Sequence, residues 1–359
     1  MLLKEIAVIG GGIIGSTTAF NLAKTGHKVT LIDTNLNKSQ NSDGLRSGSY
    51  ASLGVLMGNT FSRSSGRSWL LRQKSMEIWP EWIEEISTKN NILQLQKPLI
   101  KLAVNDSEKI RYQILCKEKT HLGLKFFERK FKKVNNTIWP NYKYGGIISL
   151  YDGRINPSLL MQSLMLALEK LQVERINKKV LYINRLSKLN ISKWRVNIEE
   201  NNSLISDYVI ICASLDSQDL IKPLGHDRPM EPILGQAIEI NLENDNQSLE
   251  SWPSVLSSNG VNLIPNGRSK MLVGATLEPG EMACEDQLKK MQNLYGNAPE
   301  WLQKAQILHK WHGIRARPTK QAAPLLETLE PGLIINSGHY RNGILLAPAC
   351  AEWVAKEIV

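Results

Sequence analysis

Short apolar runs punctuated by glycine open the chain. Ile6-Ala7-Val8-Ile9 has no polar position, the pattern of a strand buried on both faces in a parallel sheet. It leads into Gly10-Gly11-Gly12-Ile13-Ile14-Gly15, and Ser16 to Thr25 then follows a helical period with Ala19, Leu22 and Ala23 on one face. Gly26 stops that helix, and His27 to Ile32 predicts the next strand, ending at Asp33. A longer helix is predicted from Ser64 to Ile86, with Trp69, Leu70, Leu71, Ile78, Trp79 and Trp82 as its core face. From about Pro98 the runs shorten. Leu99 to Val104, Gly145 to Leu150, Ile233 to Ile240, Val261 to Ile264 and Met271 to Ala275 read as strands of an antiparallel sheet. Between them lie a helix from Pro157 to Leu171, a strand at Val180 to Ile183, and a strand at Tyr208 to Cys212 followed by Ala213-Ser214. The two strands are expected to rejoin the parallel sheet.

The last periodic segment runs to Val359 and contains Pro348. Proline lacks an N–H and fits a helix in its first turn, so the final helix is expected to begin near Gly343 or Ile344. Before it stands Gly338-His339-Tyr340-Arg341-Asn342-Gly343, a polar, cationic turn. The free amides and positive dipole end of the helix would face whatever that turn cradles, something anionic or electron-rich.

A chain of 359 residues exceeds the size at which one core keeps growing. The pattern therefore predicts an α/β protein of two interleaved domains: residues 1–90, 150–220 and 325–359 in one, 91–149 and 221–324 in the other. Hydrophobic content of 42% and charged content of 22% are those of an ordinary soluble enzyme. The net charge of +10 raises nucleic acid as a partner. Lys and Arg are scattered, however, and the densest stretch, Lys125 to Lys133, is broken by Phe126, Phe127, Glu128 and Phe131, which argues against it. Cys116, Cys212, Cys284 and Cys350 form no CxxC pair, so isolated structural thiols and a cytoplasmic setting are expected. His309 and His312 have no nearby acidic or thiol ligand, and no metal is expected. The apolar run after Met1 breaks too soon for a secretory or membrane segment.

The chemistry begins with the glycines. Strand, Gly10-x-Gly12-x-x-Gly15, helix, strand and Asp33 make the complete dinucleotide-binding unit. Gly10 makes the tight turn, Gly12 lets a pyrophosphate approach the backbone, and Gly15 lets helix and strand pack closely. Asp33 can accept hydrogen bonds from ribose hydroxyls. This fingerprint does not by itself separate NAD from FAD. An NAD dehydrogenase would continue in regular βα units with a catalytic His, Tyr or Lys. Here a polar loop, Asn35 to Ser47, leads instead into Gly48-Ser49-Tyr50-Ala51-Ser52-Leu53-Gly54-Val55-Leu56-Met57-Gly58, whose small residues admit a second part of a large cofactor.

Taken together, the fingerprint, the 48–58 run and Gly338 to Pro348 resemble the D-amino acid oxidase family of flavoproteins, and within it the glycine oxidases associated with thiamine biosynthesis. The resemblance spans essentially the whole chain. It implies an FAD-binding Rossmann-like domain interleaved with an antiparallel-sheet substrate domain. It implies that Ile13, Ile14, Asp33 and Thr34 contact the pyrophosphate and ribose of FAD, and that Gly48, Ser49, Leu53, Gly54 and Val55 lie along the flavin side. Val180 would meet the adenine, and His339, Tyr340, Arg341, Asn342, Gly343, Ile344 and Leu345 would wrap the isoalloxazine ring. Trp311-His312-Gly313-Ile314-Arg315 resembles the segment whose arginine clamps an amino acid carboxylate, with Arg341 as a second arginine. A planar guanidinium suits that task because it binds a carboxylate bidentately and stays charged.

The implied reaction is hydride transfer from the α-carbon of a small amino acid or amine to flavin. Molecular oxygen then yields hydrogen peroxide, and hydrolysis of the imine yields an oxo acid and ammonia. Ala316 to Pro324 holds no cysteine, so FAD is expected to be noncovalent. Three departures stand out. Asn262 occupies the position of a substrate-side tyrosine. Ala213-Ser214-Leu215-Asp216 replaces a glycine-containing strand end. Arg317 adds a cation that would favour a more acidic substrate. A flavin dehydrogenase of the same fold and a tRNA-modifying flavoprotein are the alternatives, and homo-oligomerisation is left open.

Overall fold

The computed structural model describes residues 3–36, 43–128, 139–140, 142–188, 191–242 and 249–358. Parts of the polar loop 35–47 and of the basic stretch after residue 128, and Val359, lie outside the described residues.

Glu5–Ile9 sits inside a sheet of order Leu325–Glu330, Leu333–Ser337, Tyr208–Ile211, Glu5–Ile9, Lys28–Ile32, Glu174–Ile176. All its pairings are parallel except that of Leu325–Glu330 with Leu333–Ser337. The continuous apolar run has the burial it predicts. Ile6 and Val8 pack into the cluster formed with helices Ile13–Lys24, Arg67–Ile86, Pro157–Lys170 and Gly343–Glu357. Ala7 and Ile9 pack on the opposite face against Val180, Trp194, Val196 and Ile198.

Those last residues correct one expectation. Val180–Lys188 does not enter the parallel sheet; it pairs antiparallel with Ile191–Ile198, which pairs with Asn202–Ser206. The edge beside Lys28–Ile32 is already filled by Glu174–Ile176. Val180-Leu181-Tyr182-Ile183 is apolar throughout, but Leu181 and Tyr182 are each 51% exposed while Val180 and Ile183 are buried. One wet face and one dry face belong to an antiparallel sheet lying as a cover over the parallel one.

The second large sheet is mixed and mostly antiparallel. Its main path runs Gln306–Pro318, Met230–Asn241, Lys270–Gly274, Val261–Pro265, Val255–Ser258, Leu99–Leu102, Gly146–Ser149, Leu124–Phe127. Gln306–Pro318 has too many polar residues to announce itself as a strand, yet it pairs along nearly its whole length with Met230–Asn241. One face of this sheet, with Ile100, Leu102, Ile238, Leu256, Leu263 and Val273, forms a core of its own. Alternation sends the residues between them to the other face, where the functional site lies.

The long helix is Arg67–Ile86. Ile78, Trp79 and Trp82 are core as expected, but Leu70 is 65% exposed and Trp69 carries the Lys119 ammonium 3.7 Å from its ring centroid. The final helix, Gly343–Glu357, begins where expected, but Pro348 lies in its second turn rather than its first. Beside the proline, the Leu345 carbonyl and Ala349 amide take partners from the long helix: the Trp79 indole N–H donates to the Leu345 carbonyl (3.3 Å), and the Ala349 amide donates to Ser75 Oγ (3.3 Å).

Candidate active site

Residues at the ends and faces of both large sheets line one cavity of about 1450 Å³. Its first wall is the glycine turn. Gly10 takes a φ of +107°, and a Cβ there would stand 2.4 Å from the Cys212 carbonyl oxygen. A Cβ on Gly15 would stand 1.7 Å from the Gly10 carbonyl oxygen, so Gly15 serves helix–strand contact and does not line the cavity. Gly12 precedes helix Ile13–Lys24 and lines the cavity with Gly10, Ile13, Ile14, Asp33 and Thr34. Asp33 accepts from the Gly11 amide (2.7 Å) and the Asn35 amide (2.7 Å), which fixes its carboxylate at the end of Lys28–Ile32.

The 48–58 run divides. Gly48, Ser49, Leu53 and Val55 line the cavity, but Gly54 does not. Gly54 has φ +74°, and a Cβ would meet the Ile155 carbonyl at 1.8 Å, so its smallness serves a backbone crossing instead. The Ser49 hydroxyl accepts from the Ile13 amide (2.8 Å), which ties this run to the glycine turn. Val180 lines the far end, together with Lys178 and Leu181.

The C-terminal turn closes the cavity, with His339, Tyr340, Arg341, Asn342, Gly343, Ile344 and Leu345 all in its wall. Gly338 and Tyr340 take φ of +64° and +55°, and no side chain of Asn342 caps the final helix, whose first amides face the cavity. His339 is buried, and its Nε2 has no hydrogen-bond partner among the described residues. Burial, with the nearby Arg67 charge, holds its pKa down to about 3.

On the sheet side, Arg315 and Asn262 line the cavity. Arg315 Nη1 donates to the carbonyls of Leu234 and Thr276, each at 3.2 Å. Burial and the charge of Arg341 lower its pKa to about 10, so it remains a cation. Among the described residues no carboxylate forms an ion pair with Arg315 or Arg341. The buried Glu278 carboxylate opposes the lowering of the Arg315 pKa without reaching ion-pair distance of Arg315. Asn262 Oδ1 is buried without a partner, an acceptor in want of a donor. Arg317 does not line the cavity: it pairs with Glu231 (2.5 Å) and lies 5.7 Å from the centroid of the Tyr340 ring.

Several residues that hold this constellation escaped the sequence reading. Gly235 is one, because a Cβ there would stand 2.0 Å from Arg315 Nη2. Glu278 is another: buried, it accepts from Gln236 Nε2 (2.9 Å), the Cys284 amide (2.7 Å) and the Thr276 hydroxyl. That network fixes the Thr276 backbone, whose carbonyl anchors Arg315. Neither residue belongs to a motif; each is significant only through the strand register beside it.

The sequence pattern of the DAO family, FAD dependent oxidoreductase, matches residues 5–357. The chain belongs to that family. This FAD-dependent oxidoreductase is similar to a glycine oxidase from Pseudomonas putida, 25% identical over 359 residues that span 97% of this chain and 93% of that relative. Among solved structures it is similar to glycine oxidase from Bacillus cereus, with TM-score 0.81, 21% identity, and 98% and 94% of the two chains covered. It is likewise similar to L-proline dehydrogenase from P. horikoshii, with TM-score 0.80, 18% identity, and 99% and 94% covered. These structural likenesses establish the fold.

FAD is the cofactor of the family, and this oxidoreductase has the features to hold it. The turn at Gly10 and Gly12 leaves backbone open to a pyrophosphate, two helix N-termini face one cavity, and the orphaned His339 Nε2 awaits a partner there. The depressed His339 pKa has a consequence for stability. Between about pH 3 and 6.5 the unfolded chain binds the proton that the folded chain refuses. Stability should therefore fall as pH drops through that window, by up to about 1.4 kcal/mol per pH unit from this group. Denaturant titrations of His339→Gln at several pH values should give a shallower slope than the parent; an identical slope would remove His339 as its source.

Proposed function

We propose that this chain uses noncovalently held FAD to oxidise the C–N bond of a small amino acid or amine, glycine or similar, and delivers the electrons to oxygen. The products are hydrogen peroxide and an imine, which water hydrolyses to an oxo acid and ammonia. When glycine is the donor, the imine serves thiamine thiazole synthesis. One observation carries this reading: Arg315 and Arg341, neither in an ion pair among the described residues, line one cavity of an FAD-binding fold. We assign FAD to the domain of residues 1–90, 150–220 and 325–359, and the substrate chiefly to 91–149 and 221–324.

Bound FAD supplies the acceptor for the hydride that leaves the α-carbon. The protein's part is to place that carbon. Arg315 and Arg341 hold the carboxylate through charge-assisted hydrogen bonds. A carboxylate gripped by two guanidinia fixes the adjoining α-carbon, which makes reaction a matter of orientation. Asn262 Oδ1 accepts from the amine, so the nitrogen lone pair is left to form the C=N bond as its remaining proton departs to solvent. No side chain needs to act as a general base when the amine is bound neutral.

A peroxide-coupled screen of the purified yellow protein against glycine, sarcosine and both enantiomers of small amino acids tests the reading. Turnover with peroxide formed in step is expected. Turnover that reduces a dye but forms no peroxide would replace oxidase by dehydrogenase. Gly235→Ala gives a finer check, because the three atoms nearest its Cβ would all belong to the Arg315 tip. FAD content should be retained while kcat/KM falls about tenfold or more; unaltered kcat/KM would mean the position of the Arg315 tip is immaterial.

A further inference from the structure

The sheet face that presents Arg315 presents another cation that none of the roles above employs. Lys101 lies in Leu99–Leu102, in register with Ser257, which pairs with Asn262, which pairs with Gly274, which pairs with Ala237. Adjacent positions Ile100, Leu102, Leu256, Leu263 and Ile238 face the opposite, apolar core. Strand alternation thus delivers Lys101 to the same side as Asn262 and Arg315, and Lys101, Ser257 and Asn262 all line the cavity.

Lys101 is half-buried, and among the described residues it forms no ion pair. The neighbouring acid, Glu108, is already engaged: Oε1 accepts from Arg111 Nη2 (2.9 Å) and Oε2 from the Val104 amide (3.2 Å). The Tyr112 ring, 5.2 Å from the ammonium, gives Lys101 a face contact but no counter-charge. Burial lowers the Lys101 pKa, Glu108 opposes it, and Arg111 and then Arg341 add to the lowering. Arg341 likewise lowers that of Arg315. Arg341 therefore lies within electrostatic reach of both, and Lys101, Arg315 and Arg341 stand together among the cations of the cavity wall, while the acids that act on them, Glu108 and Glu278, are each engaged in hydrogen bonds of their own. Glycine, with one carboxylate, satisfies Arg315 and Arg341 but leaves the half-buried Lys101 without an ion-pair partner.

We infer that the preferred substrate is an amino or imino acid with two carboxylates, the first held by Arg315 and Arg341 and the second by Lys101. Lys101 is thereby a specificity-determining residue. The inference rests on the amino-acid reading above and narrows it to a dicarboxylic class. Ser257 and Asn262, between the cations in the strand register, supply polar surface along the substrate's length.

The test compares holoprotein with Lys101→Met and Lys101→Arg. Malonate, succinate and glutarate are titrated against acetate and propionate by the shift of the flavin absorption band. In parallel, kcat/KM is measured for both enantiomers of aspartate and glutamate and for iminodiacetate, against glycine and alanine. The wild type should favour at least one dicarboxylate over its monocarboxylate counterpart by about tenfold or more, the scale of one charge-assisted contact. Lys101→Met should bring that ratio close to one, and Lys101→Arg should retain most of it. A wild-type ratio near one overturns the inference even if Lys101→Met yields no folded protein. A ratio unchanged in Lys101→Met also overturns it, and in either case oxidation of monocarboxylic amino acids would leave the broader reading standing. If no carboxylate perturbs the flavin and no amino acid is oxidised, both readings fall together.

Discussion

Arg315→Ala should lose about a hundredfold or more in kcat/KM for the amino acid substrate, while the purified protein stays yellow and folded. The size follows from two losses that act together. The charge-assisted grip on the carboxylate contributes about 1.5–3 kcal/mol. Loss of orientation of the α-carbon raises the barrier further. Folding should be spared, because Arg315 takes no part in an ion pair among the described residues and its bonds are to carbonyls of Leu234 and Thr276. Arg315→Lys should recover only part of the activity, since an ammonium keeps the charge but not the bidentate fork. Steady-state kinetics beside the flavin-to-protein absorbance ratio measures both claims. Normal kcat/KM in Arg315→Ala would remove the carboxylate clamp from the account.

The second large effect concerns the cofactor. Gly15→Ala would put a Cβ 1.7 Å from the Gly10 carbonyl oxygen, a backbone atom that cannot swing aside. Helix Ile13–Lys24 must then move off the Gly10 turn, at an overpacking cost of about 1–3 kcal/mol or more. The expected product is colourless or insoluble protein with a lowered Tm. Gly12→Ala makes the contrast, because its Cβ would meet only the Ser49 hydroxyl, at 3.1 Å. That variant should fold near the parent's Tm but bind FAD more weakly, because the methyl occupies the approach to the pyrophosphate. Equal FAD content and Tm in Gly15→Ala and the parent would contradict the packing described at the turn.

How much of this could be read from residues alone depended on the range of the interaction. The glycine turn, the helix after it and Asp33 are encoded within one βαβ unit, and each structural element appears where its pattern predicts. The Gly338–Gly343 turn was legible because a proline, two glycines and a cationic run coincide locally. Pro348 shows the limit even there, because Trp79 and Ser75 from a distant helix sustain it in the second turn. Val180–Lys188 went astray for a similar reason. A four-residue apolar run does not reveal whether one face or two will be covered, and the cover was decided by Glu174–Ile176 taking the sheet edge first.

Charge in the site was the least legible feature. Arg317 follows Arg315 closely and reads as a further cation, but the register sets Glu231 opposite as its ion-pair partner. Lys101 carries no local signal, and its place on the face of Asn262, two strands away, arises only from pairing across Val255–Ser258. Gly235 reads in sequence as a strand-weakening residue, whereas the structure uses its missing side chain as the seat of the Arg315 guanidinium. Long-range register, rather than composition, built the sheet side of the cavity.

The central claim is that this FAD-dependent oxidoreductase removes a hydride from an amino acid whose carboxylate rests on Arg315 and Arg341. Anaerobic mixing of the purified holoprotein with glycine, alanine, aspartate, glutamate and iminodiacetate, followed at the flavin absorption band, tests it most directly. Rapid bleaching by at least one of them, at least about a hundredfold slower in Arg315→Ala, is the predicted result. An absorption band that no amino acid bleaches, or bleaching as fast in Arg315→Ala as in the parent, would contradict it.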